Sequence, residues 1–227
     1  MAHQIEISKT EQTIRIPLND GTLEGNLTLP DGAQGAVLFA TGNGSSRLST
    51  RNRFIAEALH EVGVATLLAD LLTRREQGAS TITEQMRFDI PRLAMRLLKA
   101  TDWLGVHPAT RGLPLGYFGT NSSVAAALVA AAGRPAVAAV VARGGRPDLA
   151  GDALAEIAAA VLLIVGGRDD SLIDANETAF EQLHQARDKS LHIVPRATHF
   201  FEEPGALDEV AQHSADWFAQ HLCNGLH

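Results

Sequence analysis

Residues 115–123, Leu-Gly-Tyr-Phe-Gly-Thr-Asn-Ser-Ser, decide the fold of this chain. An apolar run ends at Phe118, a glycine follows, and an alanine-rich helical pattern begins at Val124. A strand, a tight turn and a helix in this order are the setting of a nucleophile elbow, whose usual form is G-x-S-x-G. Here Asn121 stands where the serine would be, and Ser123 stands where the second glycine would be. The segment therefore predicts where a site lies, but an asparagine amide cannot act as a serine nucleophile.

Short apolar runs on both sides of this segment predict a mostly parallel sheet. Residues 13–30 hold two alternating stretches around an Asn-Asp-Gly turn, which predicts an N-terminal antiparallel hairpin. Continuous apolar runs, typical of strands buried on both faces, follow at 36–40, 64–70, 114–119, 136–142, 160–167 and 191–195. Helical patterns alternate with them at 51–63, 89–105, 124–132, 174–186 and 206–221. We therefore expect an α/β fold, a twisted sheet with helices on both faces.

Composition limits the classes of protein that the chain can belong to. Its 227 residues are 45% hydrophobic and 20% charged, which suits a single domain over 1–227, with 1–11 as a flexible segment or an edge strand. A net charge of −7 gives no reason to expect a nucleic-acid partner. No run approaches the roughly 18–20 apolar residues of a membrane span, and residues 1–12 lack the pattern of a secretory signal. The single cysteine, Cys223, cannot form an internal disulfide, so a cytoplasmic protein is predicted.

Polar groups follow three of the predicted strands. Asn121 and Ser122 follow the first, Asp169 the second and His199 the third. Ligands of open α/β sheets bind beyond the carboxyl ends of the strands. An acid that accepts the histidine Nδ1–H would leave Nε2 as a base. The alternatives are a turn or helix-capping role for Asp169 and a solvated loop position for His199. The other eight histidines are expected to be structural or solvated.

The loop after the first parallel strand has the sequence Thr-Gly-Asn-Gly-Ser-Ser-Arg at 41–47. In an elbow-type site this loop supplies one oxyanion-hole N–H and the residue after the nucleophile supplies the other. The corresponding amides are those of Asn43 and Ser122. A plain surface turn is the alternative, and a phosphate loop is disfavoured because the lysine of a P-loop is missing.

Six segments resemble the dienelactone hydrolase-like branch of the α/β-hydrolase superfamily over about residues 22–220. They are TGNGSSRLSTRNRF, RFDIPRLAMRLLKATDWL, LPLGYFGTNSSVAAALVAAA, RGGRPDLAG, LLIVGGRDD and ATHFFEEPGALDEVA. The resemblance implies an α/β-hydrolase fold and places Asn121, Asp169 and His199 at the three catalytic positions. It also places Thr41 where the family usually has a histidine.

Asn121 leaves the chemistry open among three readings. In the first, the chain is a disabled or altered hydrolase for an ester, a lactone or a related carbonyl compound. In the second, it uses Asp169 and His199 as a general base in a lyase, cyclase or isomerase reaction. In the third, it only binds ligands. Ser122 and Ser123 are weaker candidates for a substitute nucleophile.

The substrate-binding candidates are Arg143, Arg47 and Thr41. The two arginines are candidates because arginine binds carboxylates through two parallel hydrogen bonds. We expect a small-molecule substrate, with no cofactor, metal, membrane or nucleic-acid partner, and a homodimer is left open.

Overall fold

The computed structural model describes residues 8–41, 46–78 and 89–223. Eight strands form one sheet in the order β1-β2-β4-β3-β5-β6-β7-β8. The strands are β1 (Lys9–Leu18), β2 (Gly21–Pro30), β3 (Gly35–Thr41), β4 (Val64–Asp70), β5 (Leu115–Thr120), β6 (Val137–Arg143), β7 (Ala160–Gly166) and β8 (Lys189–Val194). β1 pairs antiparallel with β2 and β2 with β4, and every later pairing is parallel. The predicted hairpin and parallel sheet are confirmed.

Helices cover both faces of the sheet. They are α1 (Thr50–Glu61), α2 (Arg74–Gln77), α3 (Ile90–Val106), α4 (Ser123–Ala132), α5 (Asp170–Gln182) and α6 (Ala206–Phe218), with 3₁₀ turns at Pro147–Glu156 and a π-helical end at Ala219–Cys223. One core cluster lies under α3 and α4 and a second under α1 and α6. No helix among the described residues is long and apolar enough to cross a membrane.

Three element boundaries differ from the sequence-based prediction. β1 begins at Lys9, before the predicted start, because residues 9–12 continue the ladder with β2. α5 begins at Asp170, four residues before the predicted start, and Asp169 occupies the N-cap position without a side-chain capping hydrogen bond. The stretch after β4 contains a short helix that the sequence analysis did not include, α2, whose capping box joins Thr73 and Glu76.

A buried ion cluster joins α2 to α3. Arg96 donates to both carboxylate oxygens of Glu76, at 2.7 and 2.8 Å, and Arg92 Nη2 donates to Oε1 at 2.6 Å. Burial alone would raise the pKa of Glu76, but the hydrogen bonds from Arg96 and from the Thr73 amide outweigh it and lower this pKa to about 2. The ionised carboxylate therefore stabilises the fold.

Replacing this carboxylate should make stability depend less on pH. The folded-state pKa of about 2 lies below the ordinary 4.5, so the stabilisation is complete above about pH 4.5 and is lost as the pH falls towards 2. We expect Glu76→Gln to lower the free energy of unfolding at pH 7 by about 3 kcal/mol. Urea titrations from pH 7 down to 3.5 would show the gap narrowing below pH 4.5. A gap that stays constant with pH, or an equal loss in the exposed control Glu177→Gln, would contradict this account.

Candidate functional site

The turn after β5 holds Asn121 in a left-handed backbone conformation with φ of 52°. Asparagine is among the few residues that adopt this region readily. The surrounding glycines allow the close packing that the turn needs. A Cβ at Gly119 would lie 2.9 Å from Val124 Cα, and a Cβ at Gly145 would lie 2.4 Å from the Asn121 carbonyl oxygen. The elbow geometry therefore exists without its serine.

Ser123, in place of the second motif glycine, is buried and serves the backbone. Its hydroxyl lies 2.5 Å from the Ala40 carbonyl oxygen and 2.7 Å from that of Thr120, and its oxygen accepts from the Thr120 N–H at 3.3 Å. These contacts join the ends of β3 and β5 to the start of α4. A hydroxyl used in this way is not a substitute nucleophile.

Ser122 lies beside the elbow at the N-cap of α4. Backbone N–H groups at a helix start have no acceptor within the helix and carry partial positive charge. This position agrees with the predicted use of the Ser122 amide in an oxyanion hole, although the role itself stays a prediction. The Ser122 Oγ is buried and makes no hydrogen bond. The other predicted donor, Asn43, lies outside the described residues.

Asp169 and His199 come together from the ends of β7 and β8. His199 Nδ1 and Asp169 Oδ2 are 3.1 Å apart, and both side chains are partly exposed. Gly166 makes the approach feasible, because a Cβ there would lie 2.6 Å from the carbonyl oxygens of Ala197 and Thr198. The Arg168 N–H also donates to Ala197 O at 3.0 Å. This contact agrees with the predicted arrangement, in which Asp169 accepts the Nδ1–H and leaves Nε2 of His199 as a base, and the role as base stays a prediction.

Asn121, Ser122 and His199 share one open cleft of about 250 Å³. Gly144, Gly145 and Arg146, which follow β6, also line it, and Arg146 is bound to Asp148 through two hydrogen bonds. The apolar walls come from Ile90, Leu149 and Leu172. The sequence analysis missed these walls because they come from three separate helical segments. The glycine pair directly after a strand was the one signal in the sequence for this part of the cleft lining.

The predicted substrate-binding residues do not line this cleft. Arg47 donates to Glu24, Asn26 and Asp70 at 2.8–3.0 Å and thereby joins the segment after β3 to β2 and β4. The Thr41 hydroxyl donates to Ala69 O at 2.6 Å. Both residues already use their polar groups within the fold. Substrate binding by these two residues stays a prediction that their contacts do not favour.

Arg143 ends β6 and is 4% exposed, with its Nε and Nη1 buried and without hydrogen-bond partners among the residues that the structure describes. Its guanidinium lies 5.3 Å from the ring centroid of Phe201, in the loop that carries His199. Burial, together with the charge of Arg51, lowers the pKa of Arg143 to about 10. A buried cation without a carboxylate partner is costly, and the described part of the chain supplies none for Arg143. Of Thr41, Arg47 and Arg143, Arg143 alone keeps donors that no described residue uses.

Comparison with known proteins shows the family of the chain. The dienelactone hydrolase family matches residues 23–222. The chain belongs to the dienelactone hydrolase family. The crystal structure of a dienelactone hydrolase from Anabaena variabilis ATCC 29413 is 53% identical, with a TM-score of 0.90 over 94% of this chain and 99% of that one. The fold and the resemblance predicted from the sequence are confirmed.

Other relatives of this dienelactone hydrolase family member differ in length or in sequence. Two Mycobacterium tuberculosis proteins, from strains CDC 1551 / Oshkosh and H37Rv, are named "Putative phosphoribosyl transferase" and are 48% identical over 214 residues. The match covers 94% of this chain and 47% of theirs, so the chain spans about half of their length. Est1E from Butyrivibrio proteoclasticus is 14% identical with a TM-score of 0.76, over 92% of this chain and 98% of its own, and it supports the fold alone.

Proposed function

We propose that the chain binds an ester or lactone in the cleft of Asn121 and His199 and hydrolyses it without a covalent intermediate. The observation that carries this proposal is the contact between His199 Nδ1 and Asp169 Oδ2, 3.1 Å apart, beside an elbow that presents an amide. The base of the site is therefore kept while its nucleophile is missing. Family membership supports the class of substrate.

Water takes the part of the serine in this scheme. The Nε2 of His199 accepts a proton from a water molecule, whose oxygen attacks the substrate carbonyl carbon. The Ser122 N–H donates to the developing oxyanion, assisted by the Asn43 N–H predicted from the sequence. When the tetrahedral intermediate collapses, the alcohol leaves with the proton from His199, and Asp169 stabilises the imidazolium meanwhile. Such a site keeps roughly 10³–10⁴-fold catalysis over water.

The cleft indicates a small substrate. Its volume of about 250 Å³ lies just below the range of about 300–1,000 Å³ that is usual for ligand pockets, and its apolar lining would hold a hydrocarbon part of the substrate. Arg143 does not line the cleft, but it is the candidate for a carboxylate on that substrate, because its Nε and Nη1 have no partner among the described residues and its guanidinium packs on Phe201 in the His199 loop. A cytoplasmic location and a homodimer remain predictions. The transferase named for the mycobacterial relatives is not proposed here, since the chain spans about half of those proteins.

Two other functions are distinguished by the same assays. The intact Asp169–His199 pair also suits proton abstraction next to a carbonyl, with the Asn121 amide donating to the substrate oxygen. In that case Asn121→Ser would destroy the native activity, and His199→Ala would destroy it too. A binding protein would retain ligand affinity in all these variants and would convert no carbonyl compound.

The direct test is p-nitrophenyl acetate hydrolysis by the native chain and by His199→Ala. We expect slow linear release of p-nitrophenol without a burst, since no acyl-enzyme accumulates. His199→Ala should lower kcat/KM about 10²-fold or more, because general-base assistance is lost. The exposed residue His184 gives a matched control, and His184→Ala should leave the rate unchanged. Equal rates for His199→Ala and the native chain would refute hydrolysis at this site.

A further inference from the structure

His192, Glu209 and His213 form a cluster away from the cleft, between β8 and α6. Their potential ligand atoms all lie within 4.8 Å of one another. His192 Nε2 is 2.6 Å from Glu209 Oε1, and the rings of His192 and His213 have centroids 3.8 Å apart. Each of the three residues is partly exposed, so the cluster is accessible from solvent.

The backbone fixes the direction of these side chains. Glu209 and His213 are four residues apart on α6, so they lie one turn apart on the same helix face. His192 reaches that face from β8, the edge strand of the sheet. Two regular elements therefore present two imidazoles and one carboxylate to a common point, which is how rigid metal sites are built.

We propose that His192, Glu209 and His213 bind a divalent transition-metal ion, with Zn²⁺ as the first ion to test. Zn²⁺ accepts imidazole nitrogen at about 2.0–2.1 Å and carboxylate oxygen at about 2.0–2.2 Å, with neighbouring ligand atoms roughly 3–3.5 Å apart in a tetrahedral site. The His192–Glu209 separation of 2.6 Å must widen slightly, and the longest separations must close by about 1–2 Å. Changes of side-chain torsion suffice for such shifts.

The donor set selects among metals. Two imidazoles and one carboxylate suit Zn²⁺, Cu²⁺ and Ni²⁺, whereas Mg²⁺ and Ca²⁺ prefer oxygen ligands throughout. Three protein ligands at a partly exposed position leave a coordination site for water. This site lies outside the Asp169–His199 pair, and its test does not depend on ester hydrolysis.

A bound ion would join the edge strand β8 to α6. The segment 195–205, which carries His199, connects these two elements, so the ion would fix both of its flanks. An ion that binds the folded chain and not the unfolded chain raises stability by mass action. The inference therefore predicts a Zn²⁺-dependent melting temperature as well as binding.

The test uses the full chain without a polyhistidine tag, treated with chelator and titrated with ZnCl₂ in a calorimeter. We expect one Zn²⁺ ion per chain and an affinity that is at least tenfold weaker in Glu209→Gln and in His213→Gln. Co²⁺ bound to the native chain should give absorption bands that both variants lose. Glu209→Gln keeps a hydrogen-bonding group beside His192, so its metal-free stability should match the native chain while its Zn²⁺-dependent rise in melting temperature disappears. His184→Gln and Asp216→Asn, on other exposed positions, should bind Zn²⁺ as the native chain does.

Two results would overturn the proposal. One is the absence of saturable Zn²⁺ binding by the native chain. The other is binding with unchanged affinity and unchanged Co²⁺ spectrum in both ligand variants, which would place the ion on other histidines.

Discussion

Asn121→Ser is expected to raise the hydrolysis of p-nitrophenyl esters by about 10²–10⁴-fold. The variant places a hydroxyl on the elbow in the cleft that His199 also lines, while the Asp169–His199 contact and the Ser122 amide are already present. Removing the serine of a complete triad lowers kcat by about 10⁶-fold. We expect Asn121→Ser to recover only part of this factor, because Ser123 still replaces the motif glycine. Serine tolerates a φ of 52° less well than asparagine, so stability should fall by about 1 kcal/mol.

Three measurements separate restored catalysis from a general change in the cleft. A rapid burst of p-nitrophenol and an acyl adduct detected by mass spectrometry should appear in Asn121→Ser alone. Asn121→Ala removes the amide without supplying a nucleophile and should show neither. The double variant Asn121→Ser with His199→Ala should lose the gain. If Asn121→Ser and Asn121→Ala behave alike, the elbow does not present its side chain to the substrate.

Arg143→Met is expected to stabilise the fold, by up to about 3 kcal/mol at pH 7. The folded-state pKa of about 10 lies below the ordinary 12.5, which means that folding disfavours the charged form of Arg143. Because Arg143 is charged when protonated, its lowered pKa means that the charge destabilises the folded state at low pH. This cost of burying the charge is present in full below pH 10 and disappears only above pH 12.5, so it applies throughout the practical pH range. Methionine fills similar space next to Phe201 without a charge.

Urea unfolding of Arg143→Met measures the change in stability. Steady-state kinetics of the same variant test whether the charge binds substrate. If Arg143 binds a substrate carboxylate, the KM for carboxylate-bearing esters should rise at least tenfold, while the KM for neutral esters should not change. Arg134→Met is the matched control, because Arg134 is paired with Asp102 at the surface and should contribute under about 1 kcal/mol. A loss of stability in Arg143→Met would show that this guanidinium has partners that compensate for its burial.

The fold could be predicted from the sequence because its signals are local. Runs such as 160–167 are short, continuously apolar and followed by turn residues, and each such run became a strand, although the edge strand β8 is only partly buried. The hairpin was marked by its own turn. Boundaries were harder to place, since β1 extends to Lys9 only through pairing with β2 and residues 9–12 carry no apolar alternation of their own.

The candidate site was predictable only where a residue follows a strand. Asp169 and His199 were found together because chain order and strand ends brought them to one edge of the sheet. Arg47 was harder to interpret, because Glu24 and Asp70 come from strands far away in the sequence, and their contacts with Arg47 are long-range. The His192–Glu209–His213 cluster was missed for the same reason. It unites a strand and a helix whose spacing in the sequence has no metal-binding pattern.

The Ser123 hydroxyl has a consequence for the mutational routes open to this chain. Its contacts with Ala40 and Thr120 support the start of α4, and removing a buried hydrogen-bonding group costs about 1–3 kcal/mol. The two departures from G-x-S-x-G therefore differ in kind: the one at Asn121 alters chemistry, and the one at Ser123 has become part of the framework. A path towards the usual motif that begins with Ser123→Gly loses stability before it gains any activity, whereas a path that begins with Asn121→Ser gains activity first.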